Sequence, residues 1–105
     1  MSVVFVYVTA SSVEEAREIA DTLVEEKLAA CANIMPGMAS VYSWRGEIKS
    51  AEEVVVILKT RLDLFTDVEE RVRELHSYDN PCIVALPVAA GSETFLDWVM
   101  RETGG

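Results

Sequence analysis

The 105-residue chain has few of the residues from which soft-metal and redox sites are built. It contains one histidine, His76, and two cysteines, Cys31 and Cys82. Two cysteines are too few for a disulfide scaffold, and an iron–sulfur cluster takes four. A Cys-x-x-Cys pair, which would hold Cu(I) between two thiolates, does not occur. We therefore expect no closed four-ligand metal site within one subunit.

Basic residues are also scarce. Lys and Arg total 9 against 18 Asp and Glu, which gives a net charge of −9. Such a surface repels phosphate backbones, so we predict no nucleic-acid partner. The glycine-rich phosphate loop with its lysine is absent, and the first loop carries no arginine of the kind that acylphosphatases use for phosphate. We therefore predict a protein that is not an enzyme and has no organic cofactor.

Long apolar runs are missing as well. None approaches the about 20 residues that a membrane-spanning helix needs, so we predict no membrane partner. The opening stretch "MSVVFVYV" has neither a basic residue nor a small-residue cleavage site, and so does not read as a signal peptide. We expect a cytoplasmic protein with reduced thiols.

The remaining pattern predicts a single domain over residues 1–105. Half of the residues are apolar, enough for one core. The predicted elements are a strand at 3–8, a helix to about residue 27, a hairpin at 31–62 broken at Pro36-Gly37 and turning at 45–47, a helix at about 64–75, a strand at 82–88 and a short helix from Ser92. This order predicts an α+β fold: a ferredoxin-like βαββαβ sandwich with an antiparallel sheet, plus a short C-terminal helix.

Two helix starts carry capping signals. Ser12 and Glu15 have the spacing of a capping box, in which each side chain bonds to the other residue's backbone N–H. Thr66 and Glu69 repeat that spacing and are expected to cap the second helix.

The strands predict that copies of the chain assemble. Residues 3–8, 54–58 and 82–86 are apolar at both odd and even positions, so both faces of the sheet need a cover. Two helices can cover one face. We expect other copies of the chain to cover the second face in a closed cyclic assembly, since large exposed apolar patches are rare on monomers. The alternative is that the last helix alone covers this second face.

Five stretches in register carry a family resemblance. They read "EKLAACANIMPG", "SVYSWRGEI", "EEVVVILKT", "HSYDNPCIVALP" and "FLDWV". Together they resemble the CutA divalent-cation tolerance family over essentially the whole chain. The resemblance implies a ferredoxin-like subunit, a homotrimer whose sheets pack together, and a role in tolerance of copper and other heavy metals.

The chain departs from the family pattern around His76. The usual motif is His-Pro-Tyr, two further residues, then Pro-Glu-Ile, whereas Ser77 and Cys82 stand here in place of the first proline and the glutamate. Some members have a second histidine where this chain has Leu75, and a cysteine where it has Val8. Two soft ligands proposed for copper in those members are therefore missing, and we expect metal binding to be weak to moderate.

The candidate metal ligands are His76, Cys31 and Cys82. Selectivity for Cu(II) or another divalent metal ion over Mg(II) requires imidazole or thiolate, and these three residues supply them. Ligands would have to come from two subunits, or water and carboxylates would complete the shell. The plainer alternatives are that His76 hydrogen-bonds loop carbonyls at a helix end and that both cysteines pack as small apolar residues.

A second group of residues is predicted to line a cleft between subunits. Tyr42 and Trp44 share one face of a strand, and so do Glu53 and Lys59, where the lysine could meet an anionic ligand or Glu53. Tyr78 lies in the neighbouring loop. The alternatives are aromatic packing for Tyr42 and Trp44 and a solvent-reaching strand end for Lys59. This group supports a rival function: a PII-like signalling or scaffold trimer that binds a small anionic ligand or a partner protein between subunits.

Overall fold

The structure is a computed structural model that describes residues 2–104. Its elements follow the predicted order. They are β1 (Val3–Ala10), α1 (Val13–Glu25), β2 (Cys31–Trp44), β3 (Glu47–Arg61), a 3-10 turn (Leu62–Leu64), α2 (Phe65–Leu75), β4 (Ile83–Pro87) and α3 (Glu93–Glu102). The predicted α+β class is confirmed.

One antiparallel sheet joins the strands in the order β2-β3-β1-β4. The two strands richest in β-branched residues, β1 and β3, lie in the centre. The edge strands β2 and β4 separate Cys31 from Cys82, and both cysteines are free thiols. Cysteines on opposite edges of the sheet are too far apart for a disulfide within one chain.

The core lies between α1, α2 and one face of the sheet. Alternate residues of the central strands point to that face, and each helix presents a stripe at spacings of three and four. The buried residues of this core include Val4, Val6, Val8, Ala16, Ile19, Leu23, Val54, Val56, Leu58, Val68 and Val72. Val24, at the edge of the α1 stripe, is 38% exposed. Among residues 2–104, no helix is long and apolar enough to cross a membrane.

The two predicted caps have different outcomes. The Ser12 hydroxyl accepts the Glu15 N–H at 3.1 Å, which confirms Ser12 as the N-cap of α1. In a capping box the Glu15 carboxylate would accept the Ser12 N–H. Here it accepts the N–H of Ser11 instead, at 3.0 Å. The Thr66 cap is wrong: α2 begins at Phe65, after a 3-10 turn, with Leu64 in the N-cap position and no side chain capping it. Thr66 therefore lies inside the first turn.

The hairpin of β2 and β3 extends beyond the helices. At Pro36-Gly37 the register shifts by one residue, so that two residues of β2 oppose one of β3 in a β-bulge with Gly37 at φ +79°. At the far end Arg45 and Gly46 both have positive φ, as a two-residue type I′ turn requires. We call residues 38–53 the hairpin arm.

The second face of the sheet, opposite α1 and α2, is covered by α3 at one end only. We call this whole face the open face. There α3 packs Val99, Leu96 and Trp98 against Val3 and Phe5, so Trp98 anchors the helix to the sheet. Elsewhere on this face, Met35, Val84 and Leu86 are 48%, 45% and 50% exposed. The last helix alone therefore does not cover this face.

Candidate functional site

A cleft of about 730 Å³ lies between the hairpin arm and the loop that joins α2 to β4. We call residues 76–82 the cleft loop. Open-face residues of β1 and β3, Tyr7 and Glu53, line the cleft together with Tyr42 and Trp44 of the arm. The cleft loop adds Tyr78, Asp79, Asn80 and Cys82. The β-bulge changes which side chains of β2 face this side, because Met38 and not Gly37 pairs with Glu53.

Four of the five residues predicted to share a cleft do so within one chain. Tyr42, Trp44, Glu53 and Tyr78 all line it. The alternation of side chains along β2 accounts for Tyr42 and Trp44, since both follow Met38 at even spacing.

Lys59 is the exception. It shares the open face with Glu53, as predicted, but six residues of strand place it about 20 Å away. Its ammonium lies 5.3 Å from the Phe5 ring centroid and 5.4 Å from that of Phe95, under α3. The predicted pairing of Lys59 with Glu53 is therefore wrong within one chain, and the lysine is held by two aromatic faces instead.

Glu53 accepts a hydrogen bond from a tyrosine. The Tyr78 hydroxyl donates to the Glu53 carboxylate at 2.9 Å across the cleft. Partial burial, followed by this bond and the carboxylate's charge, raises the pKa of Tyr78 to about 12. The phenol therefore stays protonated at physiological pH and ties the cleft loop to the hairpin arm.

Cys82 presents its thiol at the edge of the cleft, and the residue is exposed. Partial burial of the thiol and the nearby Glu53 charge raise its pKa above the ordinary value. A metal ion binds the thiolate, so binding at Cys82 has to release a proton. This cost limits affinity at neutral pH.

His76 lies behind the cleft with a fully buried side chain. Its Nδ1 accepts the Tyr78 N–H at 3.1 Å, and its Nε2 lies 2.7 Å from the Thr9 carbonyl oxygen. The tautomer with its hydrogen on Nε2 satisfies both contacts, with Nδ1 accepting and Nε2 donating. This geometry agrees with the plainer alternative, a histidine that satisfies loop backbone groups.

Glu15 holds the cleft loop from the other side. Its carboxylate accepts the Ser77 N–H at 2.9 Å as well as the Ser11 N–H, and lies 3.7 Å from the His76 Nδ1. Burial alone would raise the pKa of Glu15, but the hydrogen bonds from Ser11 and Ser77 outweigh it and hold the pKa below its ordinary value. An ionised Glu15 thus fixes the loop that carries Tyr78.

The three predicted metal ligands do not meet within one chain. Cys31 pairs with Lys59 at the α3 end of the sheet, whereas Cys82 precedes the β4 residue that pairs with Val8 near the opposite end. Among the described residues, no group of three or more His, Cys, Asp or Glu side chains is placed to hold a metal ion. A site that uses all three stays a prediction for an assembly.

Sequence reasoning missed three residues of this region. Tyr7 lines the cleft, and its position on the open face of β1 was a usable signal. Asp79 also lines it, but a turn residue gives no indication of its direction. Glu15 was recognised as a capping residue, while its bond to Ser77, 62 residues away, has no local signature.

Comparison with known proteins gives consistent matches. The family model for the CutA1 divalent ion tolerance protein matches residues 4–102. The divalent-cation tolerance protein CutA of Thermus thermophilus is 48% identical over 99 residues, which cover 94% of this chain and 96% of that protein. Protein CutA, chloroplastic, of Arabidopsis thaliana is 43% identical over 100 residues, or 95% of this chain and 55% of that protein.

Solved structures agree. The divalent cation tolerance protein from Thermus thermophilus superposes with a TM-score of 0.95 at 47% identity, covering 97% of this chain and 99% of the other. The structure described as the periplasmic divalent cation tolerance protein CutA from Archaeoglobus fulgidus has a TM-score of 0.93 at 46% identity, covering 96% and 98%. The fold, the family model and 48% sequence identity over nearly the full length agree, so the chain belongs to the CutA1 divalent ion tolerance family.

Proposed function

We propose that this protein serves divalent-cation tolerance as a non-enzymatic homotrimer that binds divalent cations weakly to moderately at its clefts. The observation that carries the proposal is the composition of the cleft. Glu53, Asp79 and Cys82 line it, and within residues 2–104 no Lys, Arg or His is among its lining residues. Carboxylates and a thiol are donors for divalent cations, and the net charge of −9 favours their approach.

The exposed apolar surface supports the homotrimer. Besides the half-exposed Val84 and Leu86 of the open face, the hairpin arm exposes Val41 at 74% and Ile48 at 77%. Three copies packed with their open faces inward would cover the sheet, and each arm could contact a neighbour. The strand order, with α1 and α2 on one face, also supports the ferredoxin-like arrangement.

The donor chemistry explains why binding is expected to be weak. The Cys82 thiol must lose a proton, and Glu53 already accepts a hydrogen bond from Tyr78. Water or a neighbouring subunit has to complete the coordination shell, because no group of three donors converges among residues 2–104 of one chain. His76 joins a shell only after giving up a backbone hydrogen bond, and Cys31 only through another subunit.

The rival role in binding a small anion has less support. An anionic ligand in the cleft would face two carboxylates and no basic lining residue among residues 2–104. The lysine that the rival role relied on, Lys59, lies under α3.

A cytoplasmic location is part of the proposal and rests on the two free cysteines. Relatives carry other compartments in their names, chloroplastic in Arabidopsis thaliana and periplasmic in Archaeoglobus fulgidus. Cell fractionation with an antibody against this chain tests the location, and recovery outside the cytoplasm would refute it.

Calorimetric titration tests the metal proposal. Cu(II), Zn(II) and Mg(II) are titrated into the wild type, Cys82→Ser and Cys31→Ser at physiological salt. We expect Cu(II) to bind more tightly than Mg(II), and Cys82→Ser to weaken Cu(II) binding about tenfold, or about 1.4 kcal/mol. Cys31→Ser is the matched comparison, a thiol outside the cleft of its own chain, and should weaken binding less than Cys82→Ser because Cys31 reaches a shell only through another subunit. Equal affinities for Cu(II) and Mg(II), or for the wild type and Cys82→Ser, would contradict the proposal.

A further inference from the structure

Glu15 is a largely buried carboxylate that the proposed metal donors leave unexplained. It lies in the first turn of α1, and its side chain is only 12% exposed. It is not among the residues that line the cleft. A buried charge is costly unless hydrogen bonds compensate for its lost hydration. The contacts of this carboxylate should therefore indicate what the charge does.

The Glu15 carboxylate joins two loops that are far apart in the sequence. Its Oε1 accepts the Ser11 N–H at 3.0 Å and the Ser11 hydroxyl at 3.1 Å, which holds the loop between β1 and α1. Its Oε2 accepts the Ser77 N–H at 2.9 Å, which holds the cleft loop. We call these bonds the Glu15 clasp. A glutamine amide cannot replace them, because it has one acceptor oxygen and its nitrogen only donates.

Hydrogen bonds continue from the Glu15 clasp along the cleft loop. Tyr78 donates its N–H to His76 Nδ1 at 3.1 Å and its hydroxyl to the Glu53 carboxylate at 2.9 Å. The Nε2 of His76 lies 2.7 Å from the Thr9 carbonyl oxygen. All of these bonds join groups of the same chain. They form a continuous set that leads from the first turn of α1 to Glu53.

Two of the three proposed cation donors lie on the loop that the clasp holds. Asp79 and Cys82 follow the clasp along the chain, whereas Glu53 lies on β3. Donors bind an ion more tightly when they are held together beforehand, because less conformational entropy is lost on binding. The clasp therefore favours binding by holding the loop donors opposite Glu53.

We propose that Glu15 is a positioning residue, which raises the divalent-cation affinity of the cleft by holding the cleft loop and does not touch the bound ion. This inference rests on the proposed function and adds a residue of α1, outside the cleft, to the determinants of that affinity. Coupling between two sites is reciprocal, so a cation bound at the cleft loop should in turn stabilise the clasp.

Amide hydrogen exchange in the assembled protein tests the clasp without any metal ion. Glu15→Gln should accelerate exchange of the Tyr78 N–H at least about tenfold, because the loop loses its tie to α1. The Ala16 N–H, which donates to the Ser12 carbonyl at 3.0 Å, should exchange unchanged and so show that the start of α1 is intact. Glu14→Gln is the matched control, since it removes the same charge from the exposed preceding residue and should change neither amide. Unchanged Tyr78 exchange in Glu15→Gln, or equal acceleration at Ala16, would overturn the inference.

Ser77→Pro shows whether Glu15 acts through the Ser77 N–H. Proline has no N–H to donate, and its ring restrains the loop backbone instead. The residue before a proline is extended, as His76 already is, at φ −87° and ψ 142°. Adding Glu15→Gln to Ser77→Pro should therefore change Tyr78 exchange less than about threefold, against about tenfold or more when Glu15→Gln is made alone. An equal effect in both backgrounds would show that Glu15 acts by another route and would contradict the inference.

Calorimetric Cu(II) titration of the same variants separates this inference from the metal proposal. Glu15→Gln should weaken Cu(II) binding about fivefold or more, and Glu14→Gln should leave it unchanged. If the wild type and Glu15→Gln bind Cu(II) equally, the inference is wrong and the metal proposal stands. If the wild type does not bind Cu(II), the metal proposal is wrong, whatever the exchange rates show about the clasp.

Discussion

Leu86→Glu should dissociate the assembly without unfolding the subunit. Leu86 lies on the edge strand β4, faces away from α1 and α2, and is 50% exposed in one chain. A carboxylate there stays solvated in the monomer, so the subunit should keep its fold. In the homotrimer the same carboxylate would be buried without a partner, which costs about 3–5 kcal/mol per copy. Since each 1.4 kcal/mol is about tenfold, association should weaken by about 100-fold or more per copy.

Light scattering together with circular dichroism is the assay. Leu86→Glu should scatter as a chain of 11.6 kDa while keeping its far-UV spectrum. Val24→Glu is the control, because Val24 is 38% exposed but lies on α1, and it should remain assembled. Val56→Glu should unfold the subunit itself, in contrast to Leu86→Glu, because the Val56 side chain is fully buried under the helices. A trimeric Leu86→Glu with an unchanged melting temperature would refute the account of the open face.

Three further changes test individual contacts. Thr60→Val removes the hydroxyl that donates to the Leu28 carbonyl at 2.7 Å and should cost about 1–3 kcal/mol of unfolding free energy in urea titrations; no measurable loss would contradict this. Partial burial and the bond to Glu53 raise the pKa of Tyr78 from 10.0 to about 12 in the folded protein, so its contribution to stability is lost as pH rises across that window. Tyr78→Phe should therefore lose less stability across that window than the wild type, and an equal slope would contradict the assignment. His76→Ala should lower Cu(II) affinity about tenfold by releasing Tyr78 and the cleft loop while leaving the trimer assembled; unchanged affinity would remove His76 from any role at the cleft.

The sequence patterns predicted the helices, strands and core well because these features depend on residues that are close together along the chain. The period-two and period-three-to-four spacings place residues on faces, which identified the core and grouped Tyr42 with Trp44. The Pro36-Gly37 break and the Arg45-Gly46 turn follow from backbone preferences of single residues. The Thr66 cap failed because the 3-10 turn after β3 starts α2 two residues earlier than the capping pattern implied, with Leu64 in the N-cap position.

The site was predicted less completely because its contacts are distant in sequence. A shared face placed Glu53 with Lys59, but the partner of Glu53 is Tyr78, 25 residues away. The surroundings of His76 depend on the Thr9 carbonyl, 67 residues away, and on Glu15. A residue type can suggest metal chemistry, yet whether its nitrogen atoms are free depends on the packing of two loops.

The location of bound Cu(II) tests the central claim most directly. The chain has two tryptophans, Trp44 in the cleft and Trp98 on α3, whose indole N–H signals serve as two internal reporters. Substoichiometric Cu(II) added to the assembled protein should broaden the Trp44 signal and the cleft-loop amides first and leave Trp98 sharp. Equal broadening of both indoles, or broadening confined to the acidic surface of α1, would contradict a cation-binding cleft.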